Sequence, residues 1–241
     1  MRQQTLRLPL PERYDYHAWV RHAGVEAACN RLALWIVHGG MLWLTSSSVA
    51  GKTHLIRLLR HEHPTLALIE VDASVQSSSL ALVRQWHEHL QDAPFWAVDV
   101  QAAPLPRGTQ LALFHLIERA RDMHRPLLLS WRVPAETRLP PELSTRLRGV
   151  LERVEMAPPS RDGALHEILL SAARSWQWEV EPRVLETLLH TLPRRLDILL
   201  AGLRHLEECT RLHRKPHPGR GWVREQLQQW LARSAIGDPG A

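Results

Sequence analysis

Residues 45–55 read TSSSVAGKTHL and carry the clearest chemical signature in this chain of 241 residues. Gly51, Lys52 and Thr53 complete the second half of the phosphate-loop pattern G-x-x-x-x-G-K-[ST]. In that pattern backbone N–H groups and the lysine hold phosphate oxygens, and the threonine hydroxyl approaches Mg²⁺. Ser46 stands at the position of the first glycine. The sequence therefore predicts a phosphate loop whose first half departs from the pattern.

The flanking residues give this loop a suitable setting. The apolar run MLWL at residues 41–44 precedes it, and a helix-like segment follows. The N–H groups of a first helical turn point at an anion, so a strand-to-helix junction is where such a loop works. Serine at position 46 is strained if that position needs a positive φ, and Val49 stiffens the loop. Two interpretations stay open: a nucleotide site, or a loop that keeps its shape without tight binding. The loop residues predicted to contact a nucleotide are Ser46, Ala50, Gly51, Lys52, Thr53 and His54.

Short apolar runs that alternate with amphipathic segments predict the elements that position the loop. Strands spaced by helices imply an α/β fold, a parallel sheet with helices on both faces. The predicted strands lie at residues 41–44, 66–71, 95–98 and 127–129, with a fifth at 154–156, and the predicted helices lie at 52–61, 79–90 and 109–123.

The pattern changes after residues 157–159 (APP), where leucines begin to recur at helical spacing. We therefore predict an α/β domain at residues 13–157 and a small all-helical domain at 160–234. A short N-terminal peptide (1–12) precedes them, and a frayed tail (235–241) follows.

Composition narrows the class of protein. Hydrophobic residues make up 44% and charged residues 23%, as in globular proteins. No signal-peptide core and no run of 18 apolar residues occur, which favours a soluble, cytoplasmic protein. Cys29 and Cys209 are expected to be reduced thiols, and the histidine pairs 61/63 and 87/89 lack partners at zinc-like spacing, so no metal site is predicted among them.

Basic residues also accumulate near the C-terminus, and the net charge is +5. They form either a solvated surface or a patch that contacts phosphates. These residues are Arg211, Arg214, Lys215, Arg220 and Arg224.

Three segments together resemble a known family: GKTHL after a strand, LPL at residues 8–10 and STRL at 144–147. They are similar to the DnaA-related AAA+ ATPases, and among these to the short Hda group that inactivates the initiator DnaA. The resemblance spans about Leu6 to Leu227. It implies a P-loop sheet followed by a helical lid, with ADP or ATP as ligand and Mg²⁺ as an accompanying ion. No segment remains for the C-terminal DNA-binding domain of DnaA, which favours the Hda group.

Residues 98–101 (VDVQ) resemble the family's Walker B motif, D-D-I-Q. Aligned on the glutamine, Asp99 matches the second acid and Val98 the first, which lies on the Mg²⁺ side. Sliding the alignment by one residue reverses these assignments. Either way one carboxylate is missing, and the resemblance therefore predicts crippled hydrolysis.

The resemblance also implies three residues that contact a nucleotide, either in this chain's own site or in the site of a neighbouring subunit. Ser130 matches sensor 1, beside the terminal phosphate. Arg146 matches the arginine finger, which enters the site of a neighbouring subunit. Arg194 matches the sensor 2 arginine of the lid, with Arg195 as a near alternative.

The N-terminal residues resemble the peptide with which Hda proteins bind the sliding clamp of DNA polymerase. Gln3, Leu6 and Leu8 fit Q-x-x-L-x-L, and Pro9 and Leu10 follow. An extended peptide of this kind places apolar side chains in a pocket. A register anchored on LPL puts Thr5 in place of the glutamine, and a strand of the chain's own domain is an equal alternative.

Together these features predict an Hda-like regulator of chromosome replication initiation. It binds the clamp and lends Arg146 to DnaA-bound ATP, while nucleotide in its own pocket, ADP first, is a structural ligand. DnaA and the clamp are the implied partners, a homodimer is left open, and direct DNA binding is expected to be weak or absent. The alternatives are a non-hydrolysing P-loop adaptor or helicase-loader-like protein and, third, a self-sufficient ATPase, for which a second acid is lacking.

Overall fold

The structure, a computed structural model, describes residues 19–72, 78–101, 105–134, 137–215 and 217–237. Its centre is a five-stranded sheet in the order β2-β3-β4-β1-β5, and every pairing is parallel. All five strands lie where the apolar runs predict them. They are β1 (Met41–Ser46), β2 (Leu66–Val71), β3 (Phe95–Val100), β4 (Leu127–Trp131) and β5 (Glu152–Met156).

Helices connect these strands and cover both faces of the sheet, as the alternation of elements predicts. No helix in the described part of the chain is long and apolar enough to cross a membrane. The helices are α1 (Ala23–His38), α2 (Lys52–Glu62), α3 (Ser79–Leu90), α4 (Arg107–Asp122), α5 (Pro141–Gly149), α6 (Asp162–Ser175), α7 (Pro182–Thr191), α8 (Leu196–Leu212) and α9 (Arg220–Gly237).

The two faces of the sheet bury different cores. Helices α1 and α2 pack on one face, and α3, α4 and α5 pack on the other. Successive side chains of a strand point to opposite faces. In β3, Ala97 belongs to the core on the α1/α2 face, while Trp96 and Val98 belong to the core on the α3–α5 face. Because of this alternation, Asp99 lies on the same face of the sheet as Ala97.

Helices α6–α9 share a third core made mainly of leucines. Leu169, Leu188, Leu199 and Leu203 are fully buried in it. Gly202 is buried at this contact, and a Cβ there would lie 2.4 Å from Leu192. The leucines that recur at helical spacing after residue 160 thus lie on helices that pack on one another.

Helix α1 was not among the elements predicted from the sequence. It packs on β5, where the N–H of Ala157 donates to the carbonyl of Gly24 at 2.8 Å. A Cβ on Gly24 would lie 2.5 Å from the carbonyl oxygen of Ala157, so the helix can approach this closely because Gly24 has no side chain.

His22 caps α1 and makes the stability of this helix depend on pH. Its Nδ1 accepts a hydrogen bond from the N–H of Gly24 at 3.2 Å, which requires the unprotonated ring nitrogen. Burial lowers the pKa of His22, against a smaller opposing effect of Glu26. Because the folded pKa is lowered, this stabilisation is complete above the unfolded value of about 6.5 and is lost as pH falls through the folded pKa.

We expect His22→Ala to lower the free energy of unfolding by about 1 kcal/mol at neutral pH, because the helix loses its cap. His22→Asn should keep an acceptor at the cap but lose the pH dependence below about pH 6.5. Urea unfolding of the wild type and both variants across that window measures this. An unfolding free energy that falls equally in wild type and His22→Asn would contradict the assignment.

Candidate nucleotide-binding site

The phosphate loop (residues 46–53) joins β1 to α2, and Gly51 is the N-cap of α2. Its φ of +81° is a left-handed conformation that favours glycine. A Cβ at Gly51 would also lie 3.2 Å from the ring of Trp19. No side chain caps this helix, so the N–H groups of its first turn face the loop as donors for a ligand. The loop therefore has the local geometry of an anion site.

Ser46 is the last residue of β1 and pairs with Met156 of β5. The non-glycine residues with positive φ in the described part of the chain are His124, Gln177 and Arg214, so serine at position 46 causes no such strain. Its hydroxyl accepts a hydrogen bond from Nζ of Lys52 at 2.6 Å. The residue that replaces the first glycine thus orients the lysine.

The surroundings of Lys52 disfavour its charged form in the free protein. Burial lowers its pKa, and the nearby charge of Arg132 lowers it further, while Asp99 acts in the opposite direction. Both causes mean that the cation is less stable here than in water. A bound anion would relieve that cost, which is what a phosphate site requires.

Asp99 is the carboxylate of the site and is 1% exposed. Its Oδ1 accepts a hydrogen bond from the hydroxyl of Ser130 at 2.6 Å, and its Oδ2 accepts one from Nε2 of Gln101 at 3.4 Å. Asp99 and Ser130 are direct neighbours in the register of β3 and β4. Ser130 is fully buried and holds Asp99 rather than lining the cavity described below.

Side chains of β3 point alternately to the two faces of the sheet, and this distinguishes the two alignments of residues 98–101 with the Walker B motif. Asp99 lies on the same face as Ala97, toward α2 and the phosphate loop, whereas Val98 is buried in the opposite core. Val100 follows Asp99 and is 5% exposed. This arrangement favours the register in which Asp99 is the acid nearest the phosphates and Val100 replaces the second acid.

A cavity of about 410 Å³ lies above the phosphate loop, within the usual size range of small-molecule sites. We call it the loop pocket. The segment before α1, the loop itself, the ends of β3 and β4, and the lid helices α6 and α8 line it. Its lining residues are Trp19, Val20, His22, Ser48, Val49, Ala50, Gly51, Lys52, Thr53, His54, Asp99, Val100, Gln101, Arg132, Ile168, Leu196 and Leu200.

Several pocket residues were missed by the sequence interpretation. Arg132 immediately follows β4, and the carboxyl end of a parallel strand is a recurrent ligand position, so a signal was available. Trp19 packs edge-on against His54, with ring centroids 5.3 Å apart. Nothing in the local sequence places Trp19 there, because the contact joins segments distant along the chain.

The two arginines predicted for sensor 2 do not line the loop pocket. Arg194 pairs with Asp162 at the start of α6, and Arg195 pairs with Asp197 at 2.7 Å. Both precede α8, whose Leu196 does reach the pocket. The sensor 2 role of Arg194 stays a prediction that requires the guanidinium to leave Asp162.

Arg146 lies on α5, away from the loop pocket. Its guanidinium makes a two-point ion pair with Glu118 of α4: Nε to Oε1 at 2.5 Å and Nη2 to Oε2 at 3.2 Å. The side chain of Arg146 is 31% exposed. The residues predicted to bind the clamp (Gln3, Leu6, Leu8, Pro9 and Leu10) lie outside the described residues.

The described residues contain no group of three or more His, Cys, Asp or Glu side chains that could hold a metal ion. The histidine pairs do not form such a group. His87 accepts from Arg119 at 2.7 Å, and His89 contacts the carbonyl of Leu68 at 3.2 Å.

Comparison with solved structures identifies the fold. Domain III of the replication initiation protein DnaA from Thermotoga maritima superposes with a TM-score of 0.69 at 15% identity, over 92% of this chain and 98% of that one. The RuvB Holliday junction branch migration motor of the same organism gives 0.59 at 15% identity, over 82% of this chain and 64% of that one. AMPPCP-bound DnaA from Aquifex aeolicus gives 0.56 at 15% identity, over 92% and 70%.

No protein-family model and no curated protein matches the sequence. The superposition on DnaA domain III nevertheless extends over 92% of this chain, so it includes most of the sheet and of the helices after β5. The chain therefore has the AAA+ P-loop fold represented by DnaA domain III and RuvB.

Proposed function

We propose that this chain binds an adenine nucleotide in the loop pocket, hydrolyses it poorly, and acts as an Hda-like regulator of a DnaA-type ATPase. The observation that carries the proposal is the single acid of the pocket. Asp99 is the only carboxylate among the described residues that line it, and the next residue is the apolar Val100.

The residues of the pocket suit each part of a nucleotide. When bound, the nucleotide supplies an anionic phosphate chain and a flat base. The N–H groups after Gly51 and the ammonium of Lys52 would hold the phosphates. The ring of Trp19 and the lid leucines Leu196 and Leu200 offer apolar surface at the same cavity.

Poor hydrolysis follows from the apolar residue, Val100, that stands at the position of the second acid. Phosphoryl transfer to water needs a residue that positions the attacking water. Val100 has no polar side-chain atom, and both oxygens of Asp99 already accept hydrogen bonds from Ser130 and Gln101. We therefore expect nucleotide to be retained as a ligand, as the resemblance implies for the structural ADP of an Hda-like protein.

The effect on a partner is assigned to Arg146. Because Arg146 does not line the chain's own loop pocket, it cannot serve the nucleotide bound there. The ion pair with Glu118 holds the guanidinium partly exposed at the surface formed by α4 and α5. A partner whose phosphates compete with Glu118 for the guanidinium would then receive an arginine finger.

Clamp binding rests on the N-terminal motif alone. Leu6 and Leu8 would enter a pocket of the clamp, with Gln3 supplying hydrogen bonds. The tether would raise the local concentration of the chain near DnaA at replicating DNA. A homodimer is not required by this mechanism.

The test measures hydrolysis of DnaA-bound ATP on DNA-loaded clamp, with and without this chain. We expect stimulation with the wild type and little hydrolysis by the chain alone. The double variant Leu6→Ala/Leu8→Ala should lose stimulation where the clamp is required but keep nucleotide binding. If a folded chain with the cognate clamp gives no stimulation, the regulator proposal is wrong.

A non-hydrolysing adaptor is the second candidate, and the same ion pair favours it. The guanidinium of Arg146 is already ion-paired with both oxygens of Glu118, as in a structural contact between α4 and α5. For an adaptor we expect nucleotide-dependent association with a replication partner and no change in that partner's rate of hydrolysis.

A further inference from the structure

We infer that an apolar groove between α1 and α2 binds the chain's own N-terminal segment, with Leu6, Leu8 and Leu10 as the side chains that enter it. While the segment is docked, it is withheld from the sliding clamp. The docking is independent of any partner, whereas its competition with the clamp rests on the clamp binding proposed above.

The groove has the size and the chemistry of a peptide-binding site. Its volume is about 440 Å³, and Trp19 lines both this groove and the loop pocket. We call it the α1/α2 groove. Apolar side chains form most of its lining: Leu32, Ala33 and Ile36 from α1, and Leu55, Leu58 and Leu59 from α2.

The α1/α2 groove presents apolar surface to water. Val37 lines it and is 73% exposed. Ala33 is also exposed, and Ile36 and Leu58 are only partly buried. Apolar side chains that cluster in one exposed groove are typical of a surface that binds another segment or a partner.

The N-terminal segment is attached directly beside the groove. The described part of the chain begins at Trp19, and residues 1–18 precede it. An extended chain from Trp19 back to Leu10 can span about 30 Å. The α1 side of the groove, from Cys29 to Val37, is about 12 Å long. The segment is therefore long enough to place its leucines along the whole groove.

The sequence of the segment suits an extended ligand. Leu6, Leu8 and Leu10 alternate with other residues, so an extended backbone carries all three on one side. Leu8 precedes Pro9, and Leu10 precedes another proline; the residue before a proline favours an extended conformation. A segment that already prefers this conformation loses less entropy when it docks.

Charge complementarity gives the docked segment a direction. Arg21 lines the groove at the end near Trp19, and Glu62, the last residue of α2, lines the far end. A segment that runs along the groove from Trp19 brings Glu12 near Arg21 and Arg7 toward Glu62. Opposite charges therefore meet at both ends, which favours this direction over the reverse.

Cys29 lies inside the groove and can report whether it is covered. Burial raises the pKa of its thiol, and the thiolate is the reactive form. The rate at which Cys29 reacts with a small thiol reagent at a fixed alkaline pH therefore measures access to the groove. Cys209→Ala leaves Cys29 as the single thiol, and mass mapping of the labelled, unaltered chain gives the same rate.

We expect Leu6→Gln/Leu8→Gln to raise the rate at Cys29 by about 10-fold, because burial of these leucines favours the docked state. Gln3→Ala/Gln4→Ala, the matched control, changes polar residues of the same segment and should leave the rate unchanged. A synthetic peptide of residues 4–12, added to the leucine variant, should slow the reaction again.

Three results would overturn the inference. Equal rates in the wild type and the leucine variant exclude docking, and an equal rise in the glutamine variant excludes recognition by the leucines. Protection of Cys29 that disappears when the wild type is diluted means that a second copy supplies the segment, which overturns the assignment within one chain.

Adding the clamp separates this inference from the proposed clamp binding. We expect the clamp to raise the wild-type rate at Cys29 to that of the leucine variant. Ala33→Glu, which places a charge in the groove at an exposed residue of α1, should raise affinity for the clamp by up to about 10-fold, because the segment is then free. A clamp that binds without changing the rate overturns the competition. If the clamp does not bind, the clamp proposal is wrong, whereas the thiol rates still decide the docking.

Discussion

Arg146→Ala is expected to abolish the stimulation of ATP hydrolysis by a DnaA partner. An arginine finger contributes about 10³–10⁵ to the rate of phosphoryl transfer in systems that use one. We therefore expect the stimulated rate to fall by roughly 100-fold or more, to the level of the partner alone. Steady-state hydrolysis of DnaA-bound ATP on DNA-loaded clamp measures it.

The structure makes this variant interpretable because Arg146 is expected to contribute little to folding. Its ion pair with Glu118 is partly exposed, and such pairs contribute about 0–1 kcal/mol. When Arg146 is removed, Glu118 still has Arg121 at 3.0 Å, so no carboxylate is left unpaired. A loss of stimulation with unchanged thermal unfolding is therefore assignable to the finger.

Two further variants sharpen the result. Glu118→Gln weakens the ion pair and should preserve or raise stimulation, because the guanidinium becomes easier to recruit. Arg148→Ala removes an exposed arginine of the same helix and should have no effect. If Arg146→Ala stimulates as well as wild type, or if Arg148→Ala is equally damaged, Arg146 is not the finger.

Lys52→Ala is expected to produce the second largest effect, a loss of nucleotide affinity. Truncating a buried, hydrogen-bonded charge that faces an opposite charge costs roughly 2–4 kcal/mol, which corresponds to about 30- to 1,000-fold in the dissociation constant. The half-buried ammonium of Lys52 stands at the first turn of α2, where phosphates would be held. Fluorescent-nucleotide titration measures the change.

The fold should tolerate this variant. Burial and the charge of Arg132 lower the pKa of Lys52, so the cation is not stabilised by its surroundings in the free protein. Ser46→Ala is the matched control: it removes the hydroxyl that accepts from Nζ but keeps the ammonium. We expect Ser46→Ala to bind nucleotide within a few-fold of wild type, and a loss as large as that of Lys52→Ala would show that the loop, not the charge, is responsible.

The sheet was largely predictable from the sequence, because its signals are local. Strands buried on both faces appear as short apolar runs, and LALIEV at residues 66–71 is a strand over that whole range. The motif GKT predicted the strand-to-helix loop for the same reason, since both the positive φ of Gly51 and the helix start lie within a few residues. The leucine spacing after residue 160 predicted the lid helices.

Helix α1 shows where a local signal was present but weak. Its buried residues Val25, Ala28, Leu32 and Trp35 recur at helical spacing. However, Val37 and Leu34 are 73% and 52% exposed, and these apolar residues outside the buried stripe blur its amphipathic pattern. The helix could have been predicted from the stripe, but not its contact with the carbonyl of Ala157.

The composition of the loop pocket depended on tertiary structure. The face on which Asp99 lies depends on the register of β3 in the sheet, and the sequence left that register open by one residue. Ser130 donates a hydrogen bond to Asp99, the charge of Arg132 lowers the pKa of Lys52, and the ring of Trp19 lies against Gly51. Each of these pairs joins segments far apart in the chain. The sequence by itself determined the fold class and the phosphate loop, because neighbouring residues encode both. The partners of each charged group were decided by the packing of distant strands, since a hydrogen bond or ion pair exists only where folding brings its two atoms together.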